Sequence, residues 1–377
     1  MECPPISSFL YEEFARGIYA QSQRQRLPLD GTLELTFRCN LNCTHCYCNL
    51  PADDKQNQAK ELTTKEILRI LDEITAEGCL WLLLTGGEPL LREDFKEIYL
   101  FAKRKGMLVT LFTNGTLITE GIADLLRDYP PFLVEITIYG ATPKTYEAVT
   151  RAPGSFLHFC QGMDFLLQRK IPLKLKSMIT KINYSEFQAM SNFSKQRGVH
   201  FRFDALINPR LDGSLSSSLF RSLPQEVVNL DLIDERRILE FKKSYQEYVP
   251  TLGSEFLYYC SAGEDVFSIN PYGHLQLCQM VTKPYFDLRQ GTFHYGWRKF
   301  FPKLKSLPRS GKSTCDTCRA RPLCGHCPGW AKLESKNAEA PIQYLCEVAF
   351  LREEVFGLKN KEVKDEEGIS ETSSAQS

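Results

Sequence analysis

Apolar positions between residues 32 and 207 fall alternately into short extended runs and helical spacings, which predicts a repeated strand–helix unit. The runs at 32–37 (TLELTF), 80–84 (LWLLL), 108–112 (LVTLF), 132–138 (FLVEITI), 172–180 (PLKLKSMIT) and 199–206 (VHFRFDAL) read as strands. In the first intervening stretch, 63–78, Ile67, Leu68, Leu71 and Ile74 share one helical face. Thr63 with Glu66 forms a capping box there, and Gly78 ends the helix. Similar patterns run through DFKEIYLFAKRKG, ITEGIADLLRDY and YSEFQAMSNFSKQRG. Six strands alternating with helices predict an α/β fold, a parallel sheet layer or barrel with right-handed crossovers. In such folds the chemistry gathers at the carboxyl ends of the strands.

The unusual loops fall at those ends. A cysteine-rich stretch (residues 39–48) follows the first strand, TGGEPL (85–90) the second, TNGT (113–116) the third and YGATP (139–143) the fourth. Beyond 207 the periodicity weakens. Residues 208–259 form an irregular bridging region with a Ser-rich DGSLSSS loop and a helical piece at 234–241. Residues 260–350 are rich in Cys, Pro and aromatics, as expected of a small domain held by metal rather than by a large core. The expected division is a 1–31 extension, a 32–207 core, the 208–259 bridge, the 260–350 domain, and a 351–377 helix end and tail. The last nineteen residues, charged, Ser-rich and free of aromatics, read as disordered.

Balanced charge narrows the partners. With 46 basic and 46 acidic residues, the net charge of zero argues against a nucleic acid or an anionic membrane. The longest apolar run, CLWLLL (79–84), suits one buried strand, and the amino-terminal text lacks the basic and apolar blocks of a signal peptide. A cytoplasmic protein is the reading, and in that reducing compartment 14 cysteines point to metal or chemistry rather than disulfides. Cys3, Cys79 and Cys160 read as ordinary thiols, the latter two in apolar text.

Cys39, Cys43 and Cys46 are spaced C-x3-C-x2-C, and Cys48 follows. Alone, this spacing also suits a zinc site with Cys48 or His45 as fourth ligand. GGEP or TNG alone is an ordinary turn. In this order, at successive strand ends, the three motifs resemble the radical S-adenosylmethionine (radical SAM) enzymes. The resemblance implies a partial (β/α)6 barrel and a [4Fe–4S] cluster held by Cys39, Cys43 and Cys46. Its fourth iron stays open to chelate SAM, because four thiolates would saturate the cube. Reductive cleavage of SAM would then give methionine and a 5′-deoxyadenosyl radical that takes hydrogen from a substrate. Gly86 and Gly87 allow close backbone approach, and the family assigns Gly86, Gly87, Glu88 and Pro89 to the methionyl ammonium, with Glu88 as its charge partner. His45 stands where the family has an aromatic whose backbone touches adenine; Asn114 and Thr137 fall to the ribose or carboxylate. Tyr139, where many relatives have aspartate, is expected to face the pocket. No catalytic base or radical relay is legible, and Cys48 has no assigned role.

Downstream, Cys260, Cys278, Cys315, Cys318, Cys324, Cys327 and Cys346 resemble the SPASM extension of these enzymes, which carries two auxiliary iron–sulfur clusters. By position, Cys315, Cys318, Cys324 and Cys346 would hold the distal cluster and Cys260, Cys278 and Cys327 the proximal one. No cysteine lies in 251–259, so the proximal site is expected to have an open iron or a non-cysteine ligand. CGHC (324–327) has two residues between its cysteines where the family commonly has three, and His326 reads as a loop residue. In isolation this second group also suits a zinc ribbon. The resemblance implies an oxidoreductase that modifies a ribosomally made peptide or a protein. Its expected partners are a separate leader-binding protein and a flavodoxin- or ferredoxin-type reductant. The alternatives are the same chemistry on a small molecule, an amino sugar or tetrapyrrole, and a non-catalytic zinc-binding module.

Overall fold

The computed structural model describes residues 15, 17–20, 22, 25–248, 255–311 and 313–357. Six strands, β1 (Asp30–Glu34), β2 (Trp81–Thr85), β3 (Leu108–Thr113), β4 (Leu133–Thr137), β5 (Leu173–Met178) and β6 (His200–Asp204), lie side by side in chain order. All five pairings are parallel. On the helix-facing side the strands present Leu33, Leu82, Leu84, Val109, Leu111, Val134, Ile136 and Leu175, all essentially buried. The opposite phase carries Thr32, Leu83, Thr110, Phe112 and Glu135, which line a cavity of about 400 Å³. The sheet is a partial barrel wrapped around this lumen.

The first strand ends at Glu34, three residues before the expected 37. Residues 35–39 leave the ladder for the loop after β2. Leu35 N donates to Thr85 O at 2.8 Å, Gly87 N to Thr36 O at 2.6 Å and Glu88 N to Arg38 O at 2.9 Å. Helix α1 (Thr64–Ala76) has its expected capping box, with Thr63 N on Glu66 Oε2 at 2.8 Å and Glu66 N on Thr63 Oγ1 at 3.3 Å. Its buried face is Ile67, Ile70, Leu71 and Ile74; Leu68, expected on that face, is only half-buried. The i, i+3, i+4, i+7 geometry selects Ile70 in its place. Gly78 follows at φ 100° as the stop.

The segment expected to be a separate Cys-rich domain begins as part of the core sheet. Strand β7 (Val266–Ile269) pairs parallel with β1, Asp30 opposite Val266 and Leu33 opposite Ile269. Strands β8 (His274–Gln276) and β9 (Phe286–Asp287) then add antiparallel, giving nine strands in the order β9-β8-β7-β1-β2-β3-β4-β5-β6. The bridging region holds two helices, Pro224–Asp231 and Glu235–Gln246, the second covering the expected helical piece. Asp231 is fully buried and accepts from Arg237 Nη1 at 3.1 Å and Arg352 Nε at 2.8 Å, which ties this region to the last helix, Gln343–Phe356. Cys79 is buried and Cys160 partly so. Cys3, most of the 1–31 extension and the tail beyond 357 lie outside the described residues.

A buried ion cluster fastens the rim. Glu61 Oε1 accepts from Thr36 Oγ1 at 2.5 Å and Arg38 Nε at 3.0 Å, and its Oε2 from Arg38 Nη2 at 3.1 Å. Arg92 lies 3.7 Å from Glu61 and also donates to the carbonyls of Leu35 and Leu62. Removing one member leaves uncompensated buried charge. Glu61→Ala is therefore expected to lower stability by about 3 kcal/mol, read by denaturant unfolding of the full chain.

Candidate active site

The cysteine loop is gripped from two sides. Asn42 N and Thr44 N donate to Thr150 O and Val149 O, both at 2.9 Å, at the end of the helix Pro143–Thr150. From the bridging region, Arg210 Nη1 donates to Cys46 O at 3.0 Å and Asn49 Oδ1 at 2.6 Å, and Leu211 N to Tyr47 O at 2.9 Å. This grip brings the three sulfurs together. Burial pushes the Cys43 thiol up, and the negative fields of Cys46 and Cys39 push it further. Burial likewise takes Cys39 up to about 12. Cys46 goes the other way, down to about 7, because the Cys48 thiol hydrogen-bonds it and Arg210 adds positive charge. Cys48, unassigned by sequence, is thus a buried partner of Cys46. Cys39 Sγ accepts from Leu41 N at 3.4 Å and Asn114 Nδ2 at 3.7 Å, and the Tyr139 hydroxyl hydrogen-bonds Cys43.

The next two loops are laced to this one. A Cβ on Gly86, at φ 137°, would come 2.2 Å from Thr36 O, and one on Gly87 would come 2.3 Å from Arg38 O. Both glycines are demanded by the protein's own backbone. Glu88 is fully buried, with Oε1 accepting from Thr113 Oγ1 at 2.8 Å and Leu90 N at 3.1 Å, and Oε2 from Asn114 N at 2.8 Å. Three of about four acceptor sites on that carboxylate are filled, so one is left for a ligand. Burial raises Glu88 to about 7. Pro89 is buried and opens the short turn that follows. Asn114 Nδ2 donates to Asn40 Oδ1 at 2.9 Å, closing the lace back onto the cysteine loop.

Around the three thiols several enclosed polar atoms have no partner: His45 Nδ1, Thr44 Oγ1, Glu34 Oε2 and Tyr146 Oη. Burial holds the His45 imidazole neutral, near 4, with its ring 5.0 Å from that of Tyr139. Such orphans each cost about 1–3 kcal/mol, and their presence beside three sulfurs fits a polar group bound there. Among the described residues no three His, Cys, Asp or Glu side chains converge as a single metal ion requires. A polynuclear cluster spreads its thiolates more widely.

The downstream cysteines fall into two sets. Cys278 is pushed up to about 11 by burial, with Cys327 and Cys260 adding negative field. Cys324 is likewise pushed up to about 11, its added field coming from Cys346, Cys315 and Cys318. The second set borders a cleft of about 510 Å³ shared with Tyr259 and Arg321. Cys327 caps the helix Pro328–Ser335, its Sγ accepting from Trp330 N at 3.3 Å. His326 Nε2 is engaged with Ala340 O at 2.9 Å.

The radical SAM superfamily profile matches residues 33–193, the span that carries β1 through α1 and all three laced loops. That span is a radical SAM domain. Two curated relatives resemble it over most of its length. An AdoMet-dependent heme synthase of Methanosarcina barkeri is 27% identical over 315 residues, 78% of this chain and 89% of the relative. The mycofactocin maturase MftC of Mycobacterium tuberculosis is 28% identical over 321 residues, 82% of this chain and 78% of the relative. Among solved structures, Streptococcus suis SuiB bound to its precursor peptide SuiA superposes with TM-score 0.66 at 16% identity, covering 92% of this chain and 84% of SuiB.

The barrel's lumen holds charged groups that the motifs did not announce. Glu34, buried on β1, accepts on Oε1 from the Tyr47 hydroxyl at 3.0 Å and from Gln279 Nε2 at 2.9 Å. Glu135 on β4 pairs with Arg202 on β6. Lys176 on β5 stands opposite Thr137, with its Nζ 3.0 Å from the centroid of the Phe112 ring. The signal for these groups was the polar phase of each strand, where a charged residue alternates with buried aliphatics. Burial, with Arg202 adding repulsion, pushes Lys176 down to about 7 although Glu135 and Glu88 pull it up. The folded chain therefore binds fewer protons than the unfolded one between about 7 and the ordinary lysine value, and across that window stability rises with pH. Lys176→Met is expected to raise the melting temperature at pH 7 and to raise it less at pH 9. Calorimetry at the two pH values checks this.

Proposed function

We propose that this enzyme abstracts hydrogen from a peptide substrate, with Cys39, Cys43 and Cys46 as ligands of a [4Fe–4S] cluster that binds SAM. The observation that carries the reading is three mutually close thiols ringed by buried, unpartnered polar atoms on a loop laced to GGEP and TNG. The cluster and SAM would together supply a 5′-deoxyadenosyl radical on one-electron reduction. The chain's own residues position them. Gly86, Gly87 and Pro89 set the backbone that would meet the methionyl ammonium, and Glu88 offers its one remaining lone pair. His45 Nδ1, Asn114 and Thr137 are the remaining candidate contacts. The Asn114 amide on Cys39 and the Tyr139 hydroxyl on Cys43 are hydrogen bonds to sulfur of the kind that set a cluster's potential.

In this reading residues 32–207 form the catalytic core, 208–259 clamp the cysteine loop through Arg210, and 260–350 carry two auxiliary clusters. Cys315, Cys318, Cys324 and Cys346 would hold one, and Cys260, Cys278 and Cys327 the other, matching the two sets the fold gathers. A flavodoxin- or ferredoxin-type donor would supply the electron, and a separate protein or the Cys-rich surface would present the peptide. No helix among the described residues is long and apolar enough to cross a membrane. The peptide is favoured by the maturase relative and by the likeness to SuiB in complex with a precursor peptide. A tetrapyrrole is the second reading, favoured by the heme synthase relative.

Anaerobically reconstituted protein is expected to hold about twelve irons per chain, three cubes of four, and Cys43→Ala about eight. The parent should release 5′-deoxyadenosine from SAM with a strong reductant, and Cys43→Ala should release none. One or two zincs without labile sulfide, or no 5′-deoxyadenosine from the parent, would refute the radical reading. Mass spectrometry of a short peptide encoded nearby and co-expressed with the enzyme, set against incubation with an iron porphyrin, decides between the substrates.

A further inference from the structure

Several enclosed cations among the described residues are paired with anions. Arg38 and Arg92 share Glu61, Arg221 holds Glu334, and Arg237 and Arg352 share Asp231. Lys176 has no such anion. It stands in register opposite Arg202, so two cations occupy one level of the sheet, and one carboxylate serves them. Arg202 takes that carboxylate with both Nε and Nη2 on Glu135 Oε2. Among the described residues, neither a hydrogen bond nor an ion pair reaches the Lys176 ammonium, whose close neighbour is the Phe112 ring face at 3.0 Å. A ring face attracts a cation without neutralising it. Part of the Lys176 surface stays accessible, so the position is open to a ligand.

The space beside it has a definite character. Phe112 and Glu135 line the cavity of about 400 Å³, whose other walls include Leu83, Thr110, Phe267 and Cys278. Lys176 borders this cavity through Phe112, on whose ring its ammonium sits, rather than lining it; none of the GGEP residues, nor Asn114 or His45, lines it, and Lys176 feels Glu135 more strongly than Glu88. We propose that Lys176 is a specificity-determining residue that receives a carboxylate of the substrate, the rest of the acid-bearing group lying against Phe112 and Leu83. The ligand class is a carboxylate on an apolar or aromatic body. The inference rests on the reading of the chain as a radical SAM enzyme whose substrate enters this lumen. Burial without an anion holds Lys176 near 7, and an arriving carboxylate restores the charge that the fold leaves unmatched.

One other source of a carboxylate exists, the methionyl end of SAM, and the test separates the two. Binding of 3-phenylpropionate and of 3-phenylpropionamide to the reconstituted full chain is measured by calorimetry, with SAM bound. The acid is expected to bind about tenfold or more tightly than the amide, the value of one charge-assisted hydrogen bond. Lys176→Met should abolish the preference and Lys176→Arg should keep it, while SAM affinity changes less than about twofold in both. Equal binding of acid and amide by the parent, or binding of neither, overturns the proposal. So does a Lys176→Met protein that keeps the acid preference, or one that loses SAM affinity, which would assign Lys176 to SAM. Release of 5′-deoxyadenosine by the parent is scored separately. Its absence defeats the radical reading, whereas its presence with no acid preference defeats this inference alone.

Discussion

Where the chain leaves β2 it lies directly on the backbone leaving β1, with Gly87 N 2.6 Å from Thr36 O and no room for a Cβ on Gly86 or Gly87. The catalytic rim is organised by this approach. It ends the β1 ladder at Glu34, turns residues 35–39 outward, and so sets where the cysteine loop begins. It also delivers Glu88 into the interior, where Thr113 and the Asn114 amide take its oxygens and the third loop is fixed in turn. Any side chain at either glycine would have to displace main-chain atoms. A flexible side chain could yield by a few tenths of an ångström; a main-chain carbonyl held by its own hydrogen bonds cannot.

Charge is handled in two ways in this interior. Glu61 with Arg38 and Arg92, and Asp231 with Arg237 and Arg352, are satisfied groups that join distant segments, and their cost in desolvation is offset within the protein. Around the three thiols and in the lumen the pattern reverses. His45 Nδ1, Thr44 Oγ1 and Glu34 Oε2 lack partners, and Lys176 lacks an anion. Other unpartnered atoms, such as Ser222 Oγ and Tyr248 Oη, are scattered through the fold, but those beside the thiols would have their bonding completed by a polar group bound there.

The strands and the order of the rim loops were legible because period-two and period-3.6 patterns are local properties of the text. Gly86, Gly87 and Glu88 were legible as a motif, but the reason for the glycines was not. Sequence suggested approach to a ligand, and the structure places the approach at Thr36 and Arg38, fifty residues upstream. For the downstream cysteines, Cys346, Cys315 and Cys318 add negative field at Cys324, as Cys327 and Cys260 do at Cys278. Arg210 was invisible because its partners, Cys46 O and Asn49, lie some 160 positions earlier in the chain. Lys176 was invisible for a different reason: one lysine in a strand's polar phase looks like an exposed one until the sheet closes over it. Leu68 was misplaced for a smaller cause: it flanks the face that Ile70 completes.

The addition of β7 to the free edge of β1 has a consequence for the chemistry proposed here. Had the Cys-rich segment been tethered through the bridging region alone, its distance from the rim would be set by a chain of some fifty residues and would fluctuate accordingly. Parallel pairing of Asp30–Leu33 with Val266–Ile269 instead fixes the hairpin in the frame of the catalytic strand. Cys278 and Gln279 follow from that hairpin; Cys278 reaches the lumen wall and Gln279 bonds Glu34, the last residue of β1. In the proposed reading a substrate lying along Phe112 would therefore sit beside Lys176, whose ammonium rests on that ring, and face Cys278 in one rigid enclosure. That enclosure is a product of strand pairing, and the sheet rather than any linker determines how far an electron or a hydrogen atom must travel.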